Sequence, residues 1–124
     1  MPSAKDSLKD RLSRSQEINI TVTGRKSGKA ISNPVWFVLD KDKDEDKLYL
    51  LPVQGSDTQW YKNVLKNPSL RIEGGSAQGE FQAVPITDAA RVSHVVEKFR
   101  KKYGAKDVKK YYSKLDVALL AQAQ

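Results

Sequence analysis

Apolar and polar residues follow one another in short alternating stretches, broken by glycine, proline and charged turns. Residues 17–23 set Ile18, Ile20 and Val22 against Asn19, Thr21 and Thr23, the two-residue period of a strand with one buried face. A glycine-bounded turn over residues 24–28 follows, and extended structure is expected to resume over residues 30–39. Pro34 lacks the amide proton of a central ladder, so that stretch is predicted to lie at an edge or carry a bulge there. Val35, Phe37 and Leu39 form one of its faces and Trp36 and Val38 the other, which predicts burial on both sides. Residues 47–53 repeat the pattern, with Leu48, Leu50 and Pro52 opposed to Tyr49, Leu51 and Val53.

The period then changes. Residues 58–66 read as a helix capped by Asp57 or Thr58, with Trp60, Val64 and Leu65 as its apolar contacts, closed by Asn67-Pro68. A hairpin is predicted from residues 69–73 and 78–86 around Gly74-Gly75. A longer helix follows from Thr87 or Asp88 to about Tyr103, with Val92, Val95, Val96 and Phe99 as its stripe and Gly104 as its stop. Residues 105–112 predict a shorter helix, and Val117–Leu120 predict a last strand rather than a helical extension. At least five strands without repeated βαβ units favour a small mixed barrel, whose closure hides strand edges and whose mouth holds a small ligand. Residues 1–15 are polar and mixed in charge, and read as an N-terminal arm or short helix. Residues 16–124 read as a single domain.

Charge adds one feature to this picture. The 124 residues carry a formal +7, and eight basic residues against two acidic ones put +6 of it between Glu97 and Lys114. A solvated helix face is the first reading of that segment, with nucleic acid or an anionic membrane as alternatives. Its composition lacks the aromatic platform of common RNA readers, so no specific nucleic acid is expected. The absence of cysteine excludes disulfides and thiolate chemistry. No long apolar run reads as a membrane span or secretory signal, and a cytoplasmic protein is expected.

Little of the chemistry is in familiar motifs. There is no Walker A spacing, and no metal site is expected. The acidic residues 40–46 lack the glycine and glutamate spacing of a calcium loop. His94 stands alone in the region of its helix's apolar stripe and reads as structural. Two segments remain. Gly24-Arg25-Lys26-Ser27-Gly28 is either an anion-binding turn, with a guanidinium fork and backbone amides, or an ordinary exposed hairpin turn. Gly55-Ser56-Asp57 with Trp60-Tyr61-Lys62-Asn63 supplies amide and hydroxyl groups beside apolar strands. Trp36 either stacks on a ligand ring or fills the second layer of the barrel. Asn63 either contacts a ligand or ties its helix to a loop.

The ordered combination of GRKSG, NPVWFV, GSD, WYKN and NP across residues 20–68 resembles the deazaflavin-dependent nitroreductase family. That family is a branch of the split β-barrel, flavin-reductase and pyridoxamine phosphate oxidase-like superfamily. The resemblance continues through YGAKDVKKYYSKLDVALL. It implies a mainly β split barrel with helices, and an oxidoreductase that passes hydride from a reduced 8-hydroxy-5-deazaflavin coenzyme, coenzyme F420, to a small electrophile such as a nitroaromatic, enone or quinone. By the same resemblance Arg25, Lys26 and Ser27 lie at the phosphate-bearing tail, and Asn33, Pro34, Val35 and Trp36 approach the ring. Gln54, Gly55, Ser56 and Asp57 would hydrogen-bond the cofactor, while Trp60 and Asn63 would position the following helix. Tyr103, Tyr111 and Tyr112 are its substrate-side candidates, with at most one of the adjacent pair facing the substrate. One departure stands out: many relatives carry a lysine or an extra glycine just before the Gly55 loop, whereas Pro52-Val53-Gln54 occurs here. Gln54 brings no positive charge, so FMN and a noncatalytic cofactor carrier stay open as alternatives, as does a monomer or a homodimer.

Overall fold

The computed structural model describes residues 17–41, 46–74 and 77–123. The expectations for residues 1–15, for the acidic turn and for the Gly74-Gly75 turn fall wholly or partly outside them. Seven strands form: β1 Ile18–Thr23, β2 Ala30–Val35, β3 Phe37–Lys41, β4 Asp46–Leu50, β5 Ser69–Gly74, β6 Ala77–Ile86 and β7 Ala118–Ala123. Among the described residues the helices are α1 Gln59–Lys66, α2 Ala89–Tyr103 and α3 Ala105–Tyr111, and a 3-10 turn covers Gly55–Asp57.

All strand pairs are antiparallel, in the order β2-β1-β5-β6-β7-β4-β3. The two ends of that order, β2 and β3, are consecutive in the chain with only Trp36 between them. One residue spans only about 7 Å between its neighbours' Cα atoms. The sheet therefore has to curl until its ends meet, and it does so as a half-barrel. The predicted strand over residues 30–39 is thus two strands with a crossing at Trp36. Pro34 lies in β2, which among the described residues pairs only with β1, so its missing donor costs no central ladder bond.

The alternation read from the sequence separates two cores. The concave face gathers Ile20, Phe37, Leu48, Leu50, Ile72 and Leu119 around Trp60, Tyr61 and Val64 of α1. The convex face packs Val38, Leu51, Ile86 and Ala118 against Val92, Val95, Val96 and Phe99 of α2 and Val108 of α3. Phe37 and Leu50 are fully buried on one side while their neighbours Val38 and Leu51 are buried on the other. Each such side chain contributes about 1.5–3 kcal/mol of apolar burial, before the entropy of ordering is subtracted.

Helix ends follow local chemistry. Asp88 caps α2 by accepting the Arg91 amide at 3.0 Å, and Gly104, at φ 98°, ends it. Thr58 precedes α1, but its hydroxyl turns back to accept the Gln54 amide at 2.8 Å instead of capping. The predicted last strand forms as β7, which joins β6 to β4 in the middle of the sheet. His94 is exposed on α2 rather than part of its packed stripe.

Candidate functional site

A cleft of about 700 Å³ opens where the sheet's two ends meet. Asn33, Pro34, Val35 and Trp36 line one side. Leu51, Val53 and Gln54 follow, then Thr58, Gln59, Trp60 and Asn63 at the start of α1, with Tyr111 and Tyr112 closing the far end. Seven of the thirteen residues that the sequence points to as cofactor ligands lie on this lining: Asn33, Pro34, Val35, Trp36, Gln54, Trp60 and Asn63.

Arg25 stands at the rim and is held from α1. Its backbone amide and Nη1 both donate to Asn63 Oδ1, at 3.1 and 2.8 Å, and Nη2 donates to Gln59 Oε1 at 2.8 Å. Lys66 Nζ donates to the Arg25 carbonyl at 3.2 Å. Gln59, Asn63 and Lys66 are spaced i, i+4 and i+7, so one polar stripe of α1 clasps the turn. Asn63 is otherwise buried, which makes the clasp firm. The Arg25 guanidinium meets only neutral amide oxygens, and no carboxylate pairs with it among the described residues. Its charge is therefore available to an anion. Lys26 and Ser27 are exposed in the same turn, where Ser27 Oγ accepts the Lys29 amide at 3.2 Å.

Gly55, Ser56 and Asp57 are tied away from the cleft. Asp116 accepts the Ser56 amide at 2.9 Å and its hydroxyl at 2.6 Å, and Lys114 pairs with Asp57 at 3.3 Å and Asp116 at 3.7 Å. Partial burial pulls the Asp116 carboxyl upward, but the Ser56 hydrogen bonds and the Lys114 ammonium outweigh it and hold it below its ordinary range. These contacts fix the loop whose first residue, Gln54, does reach the cleft. Asp116 carries no sequence signal for this task, because its partner is sixty positions away.

Trp36 packs against the second core, one of the two roles left open by the sequence, and it also lies on the cleft lining. It forms cleft wall and stacks on Tyr103 with centroids 4.2 Å apart and planes 8° from parallel. Tyr103 in turn clamps the crossing between the sheet ends. Its hydroxyl donates to the Phe37 carbonyl at 2.8 Å and accepts the Phe37 amide at 3.0 Å, satisfying both groups of an edge residue. Burial pushes the Tyr103 phenol up to about 12, so it is a neutral structural hydroxyl. Lys102 reaches the same carbonyl at 2.9 Å with its ammonium 3.6 Å above the Phe37 ring. Although the residue as a whole is exposed, desolvation of that ammonium brings it down to about 8.

Tyr111 and Tyr112, of which at most one was expected to face the substrate, both line the cleft. The reason is local: α3 ends at Tyr111, and Tyr112 turns extended at φ −107°, ψ 109°. Burial raises the Tyr112 phenol far above its ordinary value, with the nearby Tyr103 adding to the effect. No buried polar side-chain atom lacks a partner among the described residues, and no hydrogen bond engages the Tyr112 hydroxyl. That hydroxyl therefore keeps some access to solvent, and Tyr112 is part of the cleft lining.

These residues fit a deazaflavin. Ligand sites of drug-sized molecules run to about 300–1,000 Å³ with apolar walls and a few placed polar groups, which describes this cleft. A flat ring has Trp36, Val35 and Pro34 to rest on and Asn33, Gln54 and Thr58 to bond with. An anionic tail has the uncompensated Arg25 at the rim.

Comparison with known proteins agrees with that chemistry. The sequence model of the F420H(2)-dependent quinone reductase family matches residues 4–120. No curated protein sequence matches the chain. Among solved structures, an F420-H2 dependent reductase, FDR-A, superposes with a TM-score of 0.65 at 21% identity, covering 86% of this chain and 94% of its own. A Listeria innocua protein classed with the pyridoxamine 5′-phosphate oxidases gives 0.68 at 14% identity, covering 98% and 94%. The heme storage protein HutZ from Vibrio cholerae gives 0.65 at 11%, covering 99% and 92%. These likenesses establish the split-barrel fold. The family match over nearly the whole length establishes more: the chain belongs to the F420H(2)-dependent quinone reductases, an oxidoreductase family whose cofactor is coenzyme F420.

Proposed function

We propose that the protein reduces a small electrophile, a quinone before an enone or nitroaromatic, inside the cleft between Trp36 and Tyr112. The observation that carries this reading is the pairing of an uncompensated guanidinium at one end with a protonated phenol at the other. Arg25, with Lys26 and Ser27, holds the phosphate of the tail. Asn33, Pro34, Val35 and Trp36 seat the ring, and Gln54 bonds its polar edge from a loop braced by Gly55, Ser56 and Asp57. Trp60 and Asn63 hold α1 and, through it, the turn that carries Arg25.

Reduced F420 supplies a hydride when bound, and a hydride with one proton turns a quinone into its hydroquinone. The protein's part is orientation and the stabilisation of charge on the accepting oxygen. Tyr112 suits that task because burial keeps its proton in place at neutral pH, so its hydroxyl can donate to the oxygen as charge builds there. Apolar walls exclude water and strengthen the bond. Tyr111, more exposed, forms the lip past which the substrate enters, and Tyr103 acts by holding Trp36 and the Phe37 backbone.

Tyr112→Phe tests this assignment. Removing one donor aimed at a developing oxyanion costs about 10²–10³ in kcat in other enzymes. A ten- to hundred-fold loss is expected here, because solvent can partly replace the hydroxyl. Affinity for F420 should stay within about two-fold, since the phenol faces the substrate side. Steady-state oxidation of reduced F420 by a panel of quinones measures both quantities. Unchanged turnover with every quinone that the parent reduces would remove Tyr112 from the chemistry.

A further inference from the structure

Glu17 also lines the cleft, and no step above uses it. It directly precedes β1, whose pairing with β2 starts at Ile18 opposite Val35, so Glu17 stands across from Trp36 at the crossing between the sheet ends. A second observation brings its carboxylate to the same place. The phenol of Tyr103, the ring stacked on Trp36, is raised by burial and further by the charge of Glu17. The other fourteen lining residues carry no formal charge at neutral pH. No cation pairs with Glu17 among the described residues. Arg25 follows the far end of β1, whose residues rise about 3.3 Å each, so the two charges hang from backbone roughly 20 Å apart. That exceeds the screening length of about 8 Å in physiological salt, so Arg25 does not cancel Glu17. Burial and Tyr103, not Glu17, raise the Tyr112 phenol, so the carboxylate acts away from the hydroxyl that serves the accepting oxygen.

We propose that Glu17 is a specificity-determining residue of the cleft, turning away electrophiles that carry a carboxylate, sulfonate or phosphate and admitting uncharged and cationic ones. The inference rests on reduction taking place in this cleft, and it deepens that reading by naming the charge class of the substrate. An uncharged ring beside Trp36 meets no penalty from the carboxylate, whereas an anionic substituent brings like charges together in a cleft with no lining cation to offset them. Selection of this kind works by repulsion and adds no contact to the favoured substrate. Glu17 is exposed, so water and salt screen it, and the discrimination amounts to about five-fold at low salt.

A naphthoquinone bearing a propionate chain and its methyl ester test the proposal, because they differ in charge while the methylenes insulate the ring. With reduced F420, Glu17→Gln should raise kcat/KM for the acid about five-fold and leave the ester within about two-fold. Glu17→Lys should raise the acid further, about twenty-fold, and both gains should shrink as salt rises. Quenching of tryptophan fluorescence by the same pair, with oxidised F420 present so that nothing turns over, should show the same changes in Kd, since Trp36 and Trp60 both line the cleft. Arg25 is present in every variant, so the change isolates Glu17. Thermal melts of both variants should match the parent, which separates charge selection from a loss of fold. Acid and ester responding alike to Glu17→Gln, or failure of the parent to bind the ester, would overturn the proposal. A charge-dependent change in binding with no turnover of either compound would instead count against quinone reduction and leave Glu17 as the selector.

Discussion

Gly55→Ala is expected to destabilise the protein by about 3 kcal/mol or more. Two costs combine. Gly55 has φ 54°, a left-handed conformation that penalises any side chain by about 1–2 kcal/mol. A Cβ there would lie 2.0 Å from Asp116 Oδ1. The carboxylate must swing away, and it is the same group that accepts both Ser56 hydrogen bonds. Charge-assisted bonds of this kind are worth about 1.5–3 kcal/mol when sheltered and less when exposed, as these partly are. For a domain of this size the combined loss should lower the melting temperature by roughly 10 °C. The double variant Gly55→Ala/Asp116→Ala should lose less than the two single variants together, because the obstructing carboxylate is gone. Thermal melts within about 2 °C of the parent would show that the loop relaxes freely.

Arg25→Glu should weaken F420 binding by about a hundred-fold, with a modest fall in melting temperature from the side-chain hydrogen bonds to Asn63 and Gln59 that it removes. The guanidinium sits at the rim and is already oriented by Asn63 and Gln59, so it meets an anion without a further ordering cost. A carboxylate at this position would repel the tail and face the amide oxygens that now accept from Arg25. Arg25→Lys separates charge from geometry. It keeps the former, loses the two-pronged fork, and should cost about ten-fold. Both losses should shrink in high salt, because the rim is open to screening. Fluorescence titration with oxidised F420 reads all three proteins. An unchanged Kd for Arg25→Glu would mean that the tail leaves the cleft by another route.

Much of the architecture was legible in local pattern. The two apolar faces across Val35–Leu39 and Leu48–Leu51 correspond to the two cores, because a strand buried on both sides cannot alternate with polar residues. The start of α2 at Asp88 and its end at Gly104 were legible because capping and left-handed glycine act within a few residues. What was hidden is long-range. Nothing local says that the strand through residues 30–39 must break at Trp36, since the break comes from β2 and β3 lying at opposite ends of the sheet. Asp116 and Ser56, or Tyr103 and Phe37, meet only after folding. The convergence of Tyr111 and Tyr112 depended on where α3 stops, the least legible property of a helix. His94 could have been placed by wheel geometry alone: two positions after Val92, it projects opposite the stripe. The polar stripe of Gln59, Asn63 and Lys66 was likewise in the sequence as an i, i+4, i+7 series, and its meaning came only with the turn it holds.

The central claim is that the cleft between the joined ends of the sheet takes reduced F420 and spends its hydride on a quinone. A paired titration of the purified chain with oxidised F420 and with FMN, followed by addition of a quinone to the protein with reduced F420, tests it most directly. Saturable binding of F420, no comparable binding of FMN, and consumption of reduced F420 only when protein and quinone are both present are the expected results. Preferential binding of FMN, or saturable F420 binding with no oxidation by any quinone, would contradict the account.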